Sequence, residues 1–251
     1  MRRFFVPATQ IHGSRTLISG EEFHHLHNVL RLQVGTEITL CDDQGKEYHG
    51  TIVSLSPTAA EVALRSSEQL STPRLPLTLA LGLLKGQKMD LAIEKVTELG
   101  VDRIVPFTST FTVSQLPTER LNDRLSRWLR IAQSAAKQSG SIVPQILAPL
   151  TFVQLCNSQA PDTTTILFYE HERQFTLKVF ANAHPRISSL CVIVGPEGGF
   201  APEEVEQARR SGAHILGLDS HILRAETASI VAVALCRFLW AGGTSPPLPP
   251  R

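Results

Sequence analysis

Residues 190–235 constrain the fold more than any other stretch of this chain. Leu190-Cys191-Val192-Ile193-Val194 is a run of five apolar residues. That is the pattern of a strand buried on both faces. It breaks into Gly195-Pro196-Glu197-Gly198-Gly199-Phe200, and a helix is expected over 201–212. Pro202 stands near the start of that helix, with Glu203 and Glu204 in its first turn, where the dipole favours them. A second apolar run, His214-Ile215-Leu216-Gly217-Leu218, leads into Asp219-Ser220-His221-Ile222-Leu223-Arg224. Ala225 to Trp240 then reads as a long helix, apolar almost throughout, buried in the core or against a partner subunit. Two strand ends, each followed by a polar loop and a helix, imply an α/β domain. In open sheets of that class, ligands bind outside the carboxyl ends of the strands.

The two loops carry matching chemistry. Gly195, Gly198 and Gly199 let the backbone approach a ligand closely. Glu197 supplies a carboxylate, and Arg224-x-Glu226-Thr227 supplies charge and hydrogen bonds. No G-x-G-x-x-G follows the strand and no Gly-Lys-Ser/Thr ends the loop, so neither dinucleotide nor P-loop fingerprints are present. An ordinary glycine-rich loop with surface charges is the plainer account of the first loop alone.

With 251 residues the chain has room for one large domain, or a small one plus a medium one. Hydrophobic residues at 42% against 19% charged provide a sizeable core. The formal net charge of +1 gives no global attraction to nucleic acid, so an RNA partner must be argued from local patches. Cys41, Cys156, Cys191 and Cys236 are far apart without a C-x-x-C pair, which reads as reduced thiols and no zinc. The N-terminus has basic residues but no apolar signal core, and no run reaches membrane-span length. A cytoplasmic protein is expected.

Residues 1–72 read as a small β-rich module. Strands are expected over 2–6, 15–18, 36–41, 47–55 and 59–65, with Asp42-Asp43-Gln44-Gly45 turning a hairpin. Short strands at this spacing suggest a closed barrel. One helix is expected from Gly20 to Arg31, capped by Ser19. His24, His25 and His27 on that helix read as exposed imidazoles, since no second ligand group is near, and no metal site is expected. Ser71-Thr72-Pro73-Arg74-Leu75-Pro76 marks a linker, with the boundary near residue 73.

Beyond it, strand 77–83, a helix with Met89, Ala92, Ile93, Val96 and Leu99 on one face, and strand 102–107 make a parallel pair. Pro117 to Gln138 is the longest helix expected. Arg120, Arg124, Arg127 and Arg130 share one of its faces, while Leu121, Leu125, Trp128, Ala132 and Ala135 share the other. The basic face is either simply solvated or a contact to RNA phosphate. A short helix over 151–159 and a strand over 163–169 follow. One of Glu170, His171 and Glu172 at that strand's end could face the site, but plain solvated charge is the favoured account of all three. The proline-rich residues 243–251 cannot build a core and are expected to be a disordered tail.

Taken together, Gly195-Pro196-Glu197-Gly198-Gly199 and Ile222-Leu223-Arg224-x-Glu226-Thr227-Ala228 resemble the signature of SPOUT methyltransferases. Within that class they resemble the ribosomal RNA small-subunit methyltransferase E family. Lys85-x-x-Lys88-Met89, Glu98-Leu99-Gly100-Val101 and His25-x-x-x-Val29-Leu30-Arg31 resemble the same family. The resemblance implies a SPOUT-type trefoil-knotted α/β domain over 73–242, behind a PUA-like β-barrel over 1–72 that helps hold RNA. It implies methylation of N3 of a uridine in 16S ribosomal RNA, S-adenosyl-L-methionine as cofactor, the small ribosomal subunit as partner, and a homodimer. The cofactor would be held by Gly195, Pro196, Glu197, Gly198, Gly199, Leu218, Ile222, Leu223, Glu226 and Thr227. Glu197 would serve as catalytic base and Arg224 would stabilise negative charge. RNA would be met by His25, Arg31, Lys85, Lys88, Arg120, Arg124 and Arg127. The chain departs from the family pattern where arginines are replaced, at Asn28, Thr110, Ser141 or Ile142, and His221, and where Asp219 replaces a glycine. A different RNA target, or an inactive RNA-binding paralogue, is the alternative those departures leave open.

Overall fold

The computed structural model describes residues 3–42, 46–69, 75–113, 120–218 and 221–240, with backbone only at 66–69. Its contacts divide the chain into units 1–72 and 73–251. The linker at 70–74 and the tail from 243 lie outside the described residues.

In the first unit, strands β1 (Arg3–Phe5), β2 (Ile11–His12), β3 (Arg15–Ser19), β4 (Glu37–Cys41), β5 (Lys46–Leu55) and β6 (Ala59–Gln69) form one sheet in the order β1-β4-β5-β6-β3-β2. β1 runs parallel to β4, and the other pairings are antiparallel. No ladder joins β1 to β2 among the described residues, so the sheet wraps its core as a half-barrel. Register shifts at His49/Gly50 and Ile52/Ser54 supply the bulges that bend its longest ribbon. The core is Phe4, Ile18, Leu26, Ile38, Leu40, Ile52 and Val62. The helix expected to reach Arg31 is shorter. α1 spans Gly20–His24, one π turn covers His25–Val29, and Arg31 sits at φ 49°. Ser19 makes no capping bond, because it is still in the β3–β6 ladder opposite Ala59.

The second unit is a parallel sheet. Strands β7 (Leu77–Gly82), β8 (Arg103–Thr108), β9 (Gln145–Ile146), β10 (Leu150–Thr151), β11 (Thr164–Phe168), β12 (Leu190–Val194) and β13 (His214–Leu216) run in the order β10-β8-β7-β12-β11-β13, with β9 also on β8. Every ladder is parallel. Residues alternate between two cores, which explains the unbroken apolar runs. Leu77, Leu79, Leu81, Ile166, Phe168, Leu190, Val192 and Val194 face one core, and Ala80, Leu167, Cys191 and Ile193 face the other. Pro106 has no N–H to offer, and it lies in β8 between the stretches paired by β9 and β10.

The first core is covered by α2 (Gln87–Glu98), α3 (Leu121–Ser139), α5 (Leu177–Ala183) and α7 (Ala225–Trp240), the second by α4 (Phe152–Asn157) and α6 (Pro202–Arg210). Gly140, at φ 78°, ends α3, and a capping box of Thr151 and Gln154 starts α4. After edge strand β13 the chain returns to the middle of the sheet, where α7 packs on α2, β12 and β7. Arg237 locks that return. Its guanidinium donates to the Leu75 and Gly100 carbonyls and pairs with Asp102 at 2.7 Å. This crossing is what a knotted backbone requires.

Candidate functional site

The return crossing builds a cavity. The ends of β11 and β12 form its back, and Leu218 with residues 221–225 forms its front. Phe168, Tyr169 and Glu170 line it from β11, Val194 to Glu197 and Gly199 from β12, and Leu218 and His221 to Ala225 from the crossing segment. Lys88 and Ala228 complete the lining of a volume of about 510 Å³. This is within the roughly 300–1,000 Å³ typical of small-molecule sites.

The glycine loop is held by its surroundings. At Gly82, the end of β7, an added Cβ would lie 2.3 Å from the Pro196 nitrogen. Only glycine lets β7 and the loop come so close. Phe200 anchors the loop's far end, with its ring 6.1 Å from Phe107 and 5.5 Å from Phe152. Glu197 Oε1 accepts the Lys85 backbone N–H at 3.1 Å and the Lys88 ammonium at 3.2 Å. Burial pushes the Glu197 carboxyl up, but the Lys85 and Glu197 amides and the Lys88 ammonium outweigh it and hold it below the usual carboxylate range. Glu197 is therefore an anion fixed to the turn after β7. Both contacts fall on Oε1, and a carboxyl held below its usual range is a weaker base than a free one.

The crossing wall differs. Leu218, Ile222 and Leu223 present apolar surface, with Ile222 71% exposed. The Arg224 guanidinium is exposed and has no partner among the described residues. Three residues expected at the pocket do not line it. Gly198 packs against Phe111, where a Cβ would meet the Phe111 Cβ at 2.7 Å. Glu226 is buried in the first turn of α7 with no partner for Oε2 among the described residues, and Thr227 is exposed. Of Glu170, His171 and Glu172, for which the sequence favours solvated charge, the structure brings Glu170 to the cavity. Glu170 lines the cavity, while the Glu172 carboxylate accepts the Gln174 and Phe175 amides outside it.

The residues expected to meet RNA are distributed. Lys88 lines the pocket with its ammonium on Glu197, while Lys85 is exposed and gives Glu197 only its backbone N–H. Arg127 is engaged by Asp90 through two nitrogens, at 3.1 and 2.6 Å, so it is less available to phosphate than its position on the helix suggested. Arg120 and Arg130 are exposed, and Arg124 is half-buried on the same face of α3. In the first unit, Arg31 is exposed, and the His25 ring meets Phe4 edge-on at 6.2 Å. The His24, Asn28 and His27 side chains hydrogen-bond in series. Among the described residues no group of three His, Cys, Asp or Glu side chains could hold a metal, and no helix is long and apolar enough to cross a membrane. All four cysteines are buried and none is in a disulfide.

Known proteins share both the sequence and the fold. A family model for an RNA methyltransferase domain matches residues 71–237, and one for an RNA methyltransferase PUA domain matches 18–64. Ribosomal RNA small subunit methyltransferase E of Bacillus subtilis is 33% identical over 244 residues, spanning 93% of this chain and 95% of the relative. The protein of that name from Synechocystis is 32% identical over 92% of this chain and 76% of its own length. Among solved structures, ribosomal RNA small subunit methyltransferase E of Neisseria gonorrhoeae, bound to S-adenosyl methionine, superposes with a TM-score of 0.86 at 30% identity. That match covers 97% of this chain and 100% of the other. The Legionella pneumophila protein Lpg2936, in complex with the bound cofactor SAM, gives 0.82 at 26% identity, covering 94% and 97%. The expected architecture, a SPOUT-type α/β domain behind a PUA-like β module, is thus the architecture of these neighbours as well. By a domain model that spans more than half of its length and relatives that align along nearly all of it, this chain belongs to the RNA methyltransferase family of the ribosomal RNA small subunit methyltransferase E proteins.

Proposed function

We propose that the chain methylates N3 of a uridine in 16S ribosomal RNA of the small subunit, with S-adenosyl-L-methionine as methyl donor. The observation that carries this reading is the cavity between the glycine loop and the Arg224 segment. The residues present fit the donor. Leu218, Ile222 and Leu223 suit an adenine ring, loop amides near Gly195 and Gly199 suit its polar edges, and Glu170 leaves a carboxylate open to donors. When bound, the cofactor would supply a methyl group on a sulfonium. The protein's share is alignment, because an in-line displacement depends on holding acceptor and donor in register.

Uracil N3 carries a proton at neutral pH, so transfer needs that proton drawn off or the resulting anion stabilised. Arg224, beside the cavity and without a partner among the described residues, suits anion stabilisation or a grip on phosphate. Glu197 suits a holding role, since it ties the glycine loop to Lys85 and Lys88. N3 lies on the Watson–Crick edge, so the target base must be unpaired or flipped out. RNA would be gathered by His25 and Arg31 in the PUA-like module and by Arg120, Arg124 and neighbouring cations on α3. Two copies would pair through α7, where Leu235, Phe238 and Leu239 are exposed and Phe238 reaches 82%. The setting is the cytoplasm, where the small subunit is assembled.

A second reading is favoured by the replaced arginines and by the engagement of Arg127 with Asp90. It is an enzyme for another RNA site, or an RNA-binding protein that has lost transfer. Mass spectrometry of ribosomal RNA from cells with and without the gene separates these. Loss of one methyluridine from 16S RNA is the expected result. A change elsewhere in the RNA selects the other-site reading. An unchanged RNA, with no cofactor heat in calorimetry, selects the inactive one.

A further inference from the structure

We propose that Glu170 is the ribose-binding residue of the methyl-donor pocket, its carboxylate accepting hydrogen bonds from the cofactor's ribose hydroxyls. This rests on the reading that the cavity takes S-adenosyl-L-methionine, and names one of its contacts.

Three observations meet at Glu170. The first is topological. β11 ends at Phe168 and lies beside β12 in parallel register, Phe168 opposite Val194. Two residues beyond the end of one strand stands Glu170, and one residue beyond the end of its neighbour the glycine loop begins. A glycine-rich turn and an acidic side chain at the ends of parallel strands is the arrangement by which dinucleotide-binding sheets hold a ribose. This chain has no dinucleotide fingerprint, yet the crossover brings the same pair of features to one crevice.

The second is contact. Gly199 has φ 70°, and a Cβ there would stand 2.2 Å from Glu170 Oε1. The carboxylate thus occupies the space that the missing side chain leaves, between the loop and the cavity.

The third is charge. Among the described residues two carboxylates line the cavity, Glu170 and Glu197. Glu197 is matched by Lys88, while Glu170 has no hydrogen-bond or ion-pair partner among the described residues. An ionised carboxylate only accepts hydrogen bonds. The cofactor offers it two kinds of donor, the ribose diol and the methionine ammonium. Position at a strand end beside the glycine loop favours the diol.

The test is calorimetry on the full chain and on the E170A and E170Q variants. The probes are S-adenosylhomocysteine, which has both donors, and 5′-methylthioadenosine, which keeps the ribose and lacks the amino acid. The expected result is that E170A weakens both probes alike, by roughly ten- to a hundred-fold, the range for a hydrogen bond to a charged group. E170Q, which keeps one accepting oxygen, should recover part of the loss. If E170A weakens S-adenosylhomocysteine and spares methylthioadenosine, the carboxylate serves the ammonium and the proposal is overturned. If the parent binds both and E170A matches it, the proposal is also overturned. If the parent binds neither probe, the cofactor reading itself fails and takes this proposal with it. Thermal melting of both variants, expected to match the parent, separates lost contact from lost fold.

Discussion

The glycine loop and the crossing segment face each other across one cavity, but they are held differently. The loop is fitted against β7 at Gly82, tied to the α2 turn through Glu197, and anchored by Phe200 among Phe107 and Phe152. The crossing segment leaves Ile222 largely exposed and Arg224 without a partner among the described residues. A ligand meeting the first wall has little left to order, which spares binding energy. The second wall has polar and apolar groups still to be satisfied, by ligand, RNA or a second copy. On the proposed reading both walls meet the cofactor, the crossing segment through Leu218, Ile222 and Leu223, and the difference lies in Arg224, which the second wall leaves available to the acceptor.

Removing a group from the free wall should therefore damage turnover without damaging the fold. R224A is expected to lower kcat by about 10²- to 10³-fold, the range for losing one preorganised charge-stabilising donor. Its melting temperature should stay at the parent's value. A lowered melting temperature with kcat intact would mean that Arg224 is structural, and the contrast between the walls would collapse.

The gripped wall should respond in the opposite sense. G82A places a methyl group against the Pro196 nitrogen, where nothing flexible can give way. Overpacking of this kind costs about 1–3 kcal/mol. Urea unfolding should show that loss, and cofactor affinity should fall with it because Pro196 and Glu197 must shift. Unchanged stability would mean that the loop is looser than its contacts imply.

The parts of this arrangement that could be read from the sequence are those set by burial. β12 over Leu190–Val194 and α7 over Ala225–Trp240 fall where the apolar runs put them, because one is covered on both faces and the other packs along the core. Short elements show too little of a period to be read: α5 over Leu177–Ala183, although Leu177 and Phe180 are buried in the first core, and the two-residue strands β2, β9 and β10. The helix after β3 was expected too long, since its hydrophobic spacing continues through the π turn that ends it. Within the site, the two loops were legible as a pair, and so was Arg224. The grip on Glu197 was not, because it comes from Lys85 and Lys88, more than a hundred residues earlier. A contact that distant has no local pattern. The same holds for Arg127, which reads as one of a basic row until α2 brings Asp90 to it.

The smallest expected effect gives the finest test of the contrast, because it asks whether Glu197 belongs to the grip or to the chemistry. Its folded pKa is depressed, so its contribution to stability is present above the unfolded value of about 4.3 and is lost as pH falls through the folded value. The melting-temperature gap between parent and E197Q should thus be widest near neutrality and close on acidification below about pH 4. Both partners are partly exposed, so the gap should correspond to about 0.2–1 kcal/mol. Turnover by E197Q at neutral pH should fall less than about tenfold, against the roughly 10²- to 10⁴-fold expected on losing a general base. A drop in that larger range, with the acid limb of the pH–rate profile abolished, would return Glu197 to the reaction. The first wall would then be chemical as well as structural. A small drop with an unchanged acid limb leaves Glu197 as the link that keeps the glycine loop against α2, with Lys88 held beside the cavity as its counter-ion.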